Sequence, residues 1–171
     1  MFKFISLCFL VLSCSTSSAS ELQTVDYVDI NKYIGKWYSI KSLPQLFTKG
    51  CLYQTAEYDL IDSESISVLN TCVKANKIKT IKGRAIVDNP ETNADLTVYF
   101  KLFWGWFEVD GDYKVLALDD DYQYVMVGGQ DRKSLWIMSR FKSIPEKVMN
   151  EYLQKAHDLG FNISELEDAK F

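Results

Sequence analysis

One pattern recurs eight times between residues 36 and 141: a run of seven to ten residues rich in β-branched and aromatic side chains, ended by turn chemistry. The runs are 36–44, 52–60, 65–74, 78–87, 95–103, 112–118, 122–128 and 134–141. They are separated by Asp62-Ser63, Asn76, Asn89-Pro90, Gly111, Asp119-Asp120-Asp121 and Gln130-Asp131. Alternation is clean in several. Leu96, Val98, Phe100 and Leu102 share one face, as do Tyr113, Val115 and Ala117. Ten Tyr, ten Phe and four Trp among 171 residues favour strands over helices. Evenly spaced strands with short links make an antiparallel meander. Such a meander either stacks as a sandwich or closes into an up-and-down barrel whose interior, at eight strands, holds one small ligand. Periodicity alone does not choose between them.

The last element changes period. Val148, Met149, Tyr152, Leu153 and Ala156 fall on one helical stripe that Gly160 ends, and Ser143-Ile144-Pro145-Glu146 reads as a capping box with Ser143 as N-cap. This predicts one helix over about 144–159, packed on the outside of the sheet. Ahead of the first strand, residues 25–34 form a short capped approach.

Residues 1–19 read as a targeting segment: Lys3, an apolar run over 4–12, then small residues to Ser20. The run is too short for a membrane-spanning helix, which needs about 20 apolar residues. Two processing routes are written there. One is a signal-peptidase cut after Ala19. The other is a lipobox, Val11-Leu12-Ser13-Cys14, in which 1–13 is the lipoprotein signal and Cys14 is acylated. The domain is then 20–171, exported as an outer-membrane lipoprotein or as a periplasmic or secreted protein. With Cys8 and Cys14 in the leader, Cys51 and Cys72 are the remaining pair. They bracket a hairpin turning at Asp62-Ser63-Glu64, and an oxidising compartment favours a disulfide worth about 3 kcal/mol for a loop of this length. The formal net charge of −4, with no basic run, argues against nucleic acid.

Three ordered segments then narrow the choice. Gly35-Lys36-Trp37-Tyr38 opens the first strand, Asp119-Asp120-Asp121-Tyr122 lies between, and Leu135-Trp136-Ile137-Met138-Ser139-Arg140 ends the last strand. In order and spacing they resemble the blocks of the lipocalin family, in particular its bacterial outer-membrane branch and apolipoprotein D-like members. The resemblance runs from about Asp29 to Phe161. It implies an all-β fold, an eight-stranded antiparallel up-and-down barrel with one C-terminal helix. Trp37 then plugs one end, Arg140 lies across its indole, and Gly35 leaves room for that approach; these are structural residues.

With the parity anchored by Trp37 and by the strand ending in Arg140, alternation proposes a ligand-binding lining. It comprises Ala56, Tyr58, Val68, Asn70, Ile81, Val98, Phe100, Tyr113, Val115, Trp136 and Met138. At the opposite end Phe103-Trp104-Gly105-Trp106-Phe107 forms a loop that either lines a greasy mouth, with Trp104 and Trp106 as ligand contacts, or folds inward or pairs in a dimer. Leu43, Leu46 and Phe47 face it. Such a cavity suits one acyl chain with its head group near the mouth, and the resemblance implies fatty acids or lysophospholipids. The expected function is binding, storage or transport of small hydrophobic ligands, by a monomer or homodimer, with no cofactor and no metal. The alternatives are a membrane- or protein-docking module built on the 104–107 loop, and a barrel enzyme. No catalytic constellation supports the last: the one histidine, His157, lies on the terminal helix. Asp119-Asp120-Asp121 reads as a solvated turn rather than a calcium site.

Overall fold

The computed structural model describes residues 20–102 and 106–171. The leader, Cys14 and Trp104 lie outside them. A one-turn helix α1 (Ile30–Tyr33) precedes eight strands: β1 (Gly35–Ser42), β2 (Tyr53–Leu60), β3 (Ser65–Lys74), β4 (Lys77–Val87), β5 (Asp95–Leu102), β6 (Phe107–Leu118), β7 (Tyr124–Gly128) and β8 (Leu135–Ser139). Helix α2 (Glu146–Asp158), a 3-10 turn (Ile163–Glu165) and a two-residue strand β9 (Glu167–Asp168) follow.

Each strand pairs antiparallel with the next, and β1 pairs with both β2 and β8, so the meander closes on itself. Closure removes the exposed edges. The β1–β2 pairing stops at Ser39 and Gln54, and the chain's tail fills the seam beyond it. There β9 pairs with Lys41 and Ser42, and Lys170 N–H donates to Leu52 O at 2.7 Å. Phe171 packs on Tyr38 and Tyr53.

Two cores flank the wall. The inner one fills the closed half of the barrel with Trp37, Ile66, Val68, Leu96, Val115 and Val125. The outer one lies between the barrel and α2, with Leu116, Met126, Leu135 and Ile137 against Tyr152, Ala156 and Phe161. A bulge in β6 divides the residues between them. The register slips between Val115 and Ala117, so Val115 faces Val127 while Ala117 moves to the outer core. The expectation that Tyr113, Val115 and Ala117 share one face is thereby corrected, because one extra residue inverts the parity beyond it.

Three boundaries also differ. The 104–110 stretch is not all loop: β6 starts at Phe107, and Lys101 sits opposite Glu108, a favourable cross-strand charge pair that extends the hairpin past Gly111. Strand β7 starts at Tyr124 rather than 122, since Tyr122 adopts φ +57°. Helix α2 starts at Glu146 with Pro145 as N-cap and no side-chain cap bond, so Ser143 does not cap it. A cap at Ser143 would force Ile144 into helical geometry immediately before a proline, which the proline ring disfavours. At the other expected turn, Asp119 accepts from the backbone N–H of Gln123 and of Tyr124, which commits its carboxylate to the turn.

Candidate functional site

The up-and-down topology sends the β2–β3, β4–β5 and β6–β7 turns to one end and the β1–β2, β3–β4, β5–β6 and β7–β8 connections to the other. The first end is closed. The segment before α1 runs beneath it, with Val25 N–H bonded to Val115 O and Val28 N–H to Thr92 O. Asp29 caps α1 by accepting from Asn31 N–H at 3.0 Å. Trp37 is fully buried, its Nε1 donating to Tyr33 O at 2.9 Å. The Arg140 guanidinium carbon lies 3.8 Å from the centre of the indole. Its nitrogens donate to the carbonyls of Lys32, Tyr33, Lys36 and Tyr122 at 2.8–3.2 Å. One side chain thus ties α1, β1 and the β6–β7 turn together. Gly35 adopts φ +96°, a conformation that favours glycine, and a Cβ there would stand a tight 3.3 Å from Arg140 Nη1.

Above this plug three tyrosine hydroxyls meet. Tyr33 and Tyr113 are 2.6 Å apart and Tyr58 and Tyr113 3.0 Å, with the Tyr33 ring stacked on that of Tyr58. Burial pushes the Tyr58 hydroxyl up to about 12 and raises those of Tyr33 and Tyr113 well above the ordinary value. All three stay neutral at physiological pH. Tyr58 and Tyr113 form the floor of the space above, backed by Tyr33.

That space is a cavity of about 740 Å³, within the usual size of small-molecule sites. Of the expected lining, Ala56, Tyr58, Val68, Asn70, Ile81, Val98, Phe100, Tyr113, Trp136 and Met138 border it. Val115 does not: it lies beneath the tyrosines, around a small void shared with Val28, Ile30 and Tyr33. Trp106 does not either; it is 83% exposed on the β5–β6 hairpin, outside the lining. Gly83 makes room for the Phe100 ring of the lining, because a Cβ there would meet Tyr99 O at 2.5 Å and the ring at 2.7 Å. Polar lining that the sequence reading missed comes from Ser39 and Gln54, together with Lys74, Lys79, Asp110 and Asp112 nearer the mouth. Ser39 and Gln54 were recoverable, being two residues from Trp37 and Ala56 along their strands. Within the wall, Thr55 Oγ1 and Asn70 Oδ1 are buried without a hydrogen-bond partner.

Leu46, Phe47, Thr48 and Lys49 of the β1–β2 connection border the mouth. The Cys51–Cys72 disulfide, with Cα atoms 5.4 Å apart, fastens this connection to β3, as the hairpin reading anticipated. Lys74 Nζ also donates to Lys49 O.

A closed barrel with a plugged base, one open mouth and an external helix defines a class of small-ligand binding protein. Residues 28–170 match the lipocalin-like domain, and the chain belongs to the lipocalin family. It is 35% identical over 150 residues to temperature-induced lipocalin-1 of Arabidopsis thaliana, covering 85% of this chain and 81% of that protein. It is 34% identical over 159 residues to the outer membrane lipoprotein Blc of Escherichia coli K12, covering 91% and 87%. Among solved structures, insecticyanin from the tobacco hornworm Manduca sexta shares the fold with a TM-score of 0.74 at 23% identity, covering 90% of this chain and 86% of that one.

Proposed function

We propose that the protein sequesters and carries one amphiphile, a fatty acid or lysophospholipid, with its tail down the barrel and its head group at the mouth. The observation that carries this reading is the 740 Å³ cavity, open at one end and floored by neutral tyrosine hydroxyls. Apolar side chains such as Val68, Ile81, Val98 and Phe100 give a tail about 0.8 kcal/mol per buried methylene, which offsets the cost of immobilising it. Lys74 and Lys79 near the mouth suit an anionic head group. The role is non-catalytic: the single histidine, His157, is exposed on α2 beside Asp158, remote from the bore. Export fits the 1–19 leader and the name of the E. coli relative, with Cys14 acylation as the anchoring route. Intact mass of the mature protein separates that route from cleavage after Ala19.

Titration of delipidated protein with a fluorescent fatty acid tests the carrier reading. Saturation near one per chain is expected. Ile81→Trp, which places an indole in the bore, should weaken it at least about tenfold while far-ultraviolet circular dichroism stays unchanged. Lack of saturable binding by fatty acids and by lysophospholipids would overturn the proposal.

A further inference from the structure

The two ends of the barrel both expose apolar side chains, and their charges differ. At the open end Leu46 is 96% exposed, Trp106 83%, Ile78 68% and Phe47 55%, spread over three separate connections. Lysines interleave with them: Lys49 lies two residues after Phe47, and Lys77 and Lys79 flank Ile78, while the hairpin carrying Trp106 also bears Glu108, Asp110 and Asp112. Among the described residues, Lys49, Lys77 and Lys79 engage in no ion pair. At the closed end, exposed Leu60 and Ile61 sit instead among Asp59, Asp62 and Glu64, and a second acidic turn, at 119–121, lies at the same end.

We propose that the open rim docks on an anionic phospholipid surface, with Leu46, Ile78 and Trp106 entering the interface and the lysines meeting lipid head groups. Several large apolar side chains exposed at one end of the barrel suit an interaction surface. Indole and lysine together suit the boundary between head groups and acyl chains. Each lysine held near an anionic leaflet gains from its negative potential, whereas the acidic closed end is repelled. That difference orients the barrel mouth-down. A second copy of the chain fits less well, because a two-fold contact would set one lysine-bearing patch against another. Docking stands independently of whether the cavity is filled; together with the carrier role it sets the mouth against a source of amphiphile.

The test uses the full chain carrying Cys14→Ser, so that no thioether-linked lipid contributes. Co-sedimentation is measured with mixed phosphatidylcholine–phosphatidylglycerol vesicles and with pure phosphatidylcholine. Wild-type rim residues should favour the anionic vesicles, and added salt should weaken the preference. Trp106→Ser with Ile78→Ser should lower partitioning by roughly tenfold, and Lys77→Glu with Lys79→Glu should erase the anionic preference. Ile61→Ser at the closed end should change nothing. Equal partitioning of all variants would overturn the proposal. So would a dimer in light scattering that Trp106→Ser dissolves while vesicle binding is absent, an outcome that assigns the rim to a second copy. Fatty-acid titration in vesicle-free buffer reports the cavity separately, so failure of docking and failure of carriage read out in different assays.

Discussion

At the closed end of the barrel the polar groups of the plug are tied to the protein itself. Arg140 serves four carbonyls, Trp37 donates to Tyr33, and Asp29 and Asp119 cap their turns. At the open end, lysines and large apolar side chains project into solvent from connections tied by the Cys51–Cys72 disulfide, by Gln45 Nε2 donating to Lys133 O and by Arg132 donating to the carbonyls of Leu159 and Gln130. The contrast teaches that one pole buries its aromatic and cationic side chains in closing the fold, whereas the other keeps large apolar and cationic side chains exposed beside the bonds that hold its connections. A core can be stabilised without regard to cargo when the two tasks occupy different residues.

Substitution at the base is the severest way to challenge that division. Trp37→Ala removes a fully buried indole together with its cation–π partner and should cost about 3–5 kcal/mol in urea-induced unfolding. A loss below about 1 kcal/mol would erase the distinction between the poles. Next in size is the disulfide, a covalent constraint near the rim. Cys51→Ser with Cys72→Ser should cost about 3 kcal/mol, given the 21-residue separation it bridges. Comparing melts of oxidised wild type and the double variant measures it.

The tyrosine floor, between the poles, gives a smaller and pH-dependent effect. The folded protein holds Tyr58 at about 12, with Tyr33 and Tyr113 also raised, whereas unfolded tyrosine titrates near pH 10. Above about pH 10 the unfolded chain loses protons that the folded one keeps, so stability is complete below that pH and declines as pH rises toward and through the folded values. The slope is at most about 1.4 kcal/mol per pH unit for each such tyrosine. Tyr113→Phe should make the alkaline decline shallower. An unchanged slope would show that the three hydroxyls do not titrate as the burial implies. Smallest of all, Leu46→Ser or Ile78→Ser should shift thermal unfolding by no more than about 0.5 kcal/mol, because these side chains are mostly in solvent.

The strands were legible in local alternation, and their closure into a barrel in the family resemblance carried by Gly35–Trp37, the 119–122 turn and Arg140. Ten lining residues followed from parity once Trp37 and Arg140 anchored it. What parity cannot reveal is a change of parity, and the β6 bulge moved Ala117 to the helix side without any glycine or proline to announce it. Depth along the strand was equally hidden. Val115 shares a face with Tyr113 yet falls beneath the floor, because Tyr33, contributed by α1 from outside the strand pattern, joins the hydroxyl cluster and seals the bore above it. At the β5–β6 connection the departure is in strand length: Phe107 pairs with Leu102, so the second strand begins well before the expected residue 112.

A shaft with a fixed bottom is also a ruler. Tyr58 and Tyr113 stop any guest at one depth, so each carbon added to a short tail should tighten its hold until the terminal methyl reaches the phenols. Beyond that length the surplus stays wet and gains nothing, and affinity should level off where the hydrocarbon outgrows its sheath.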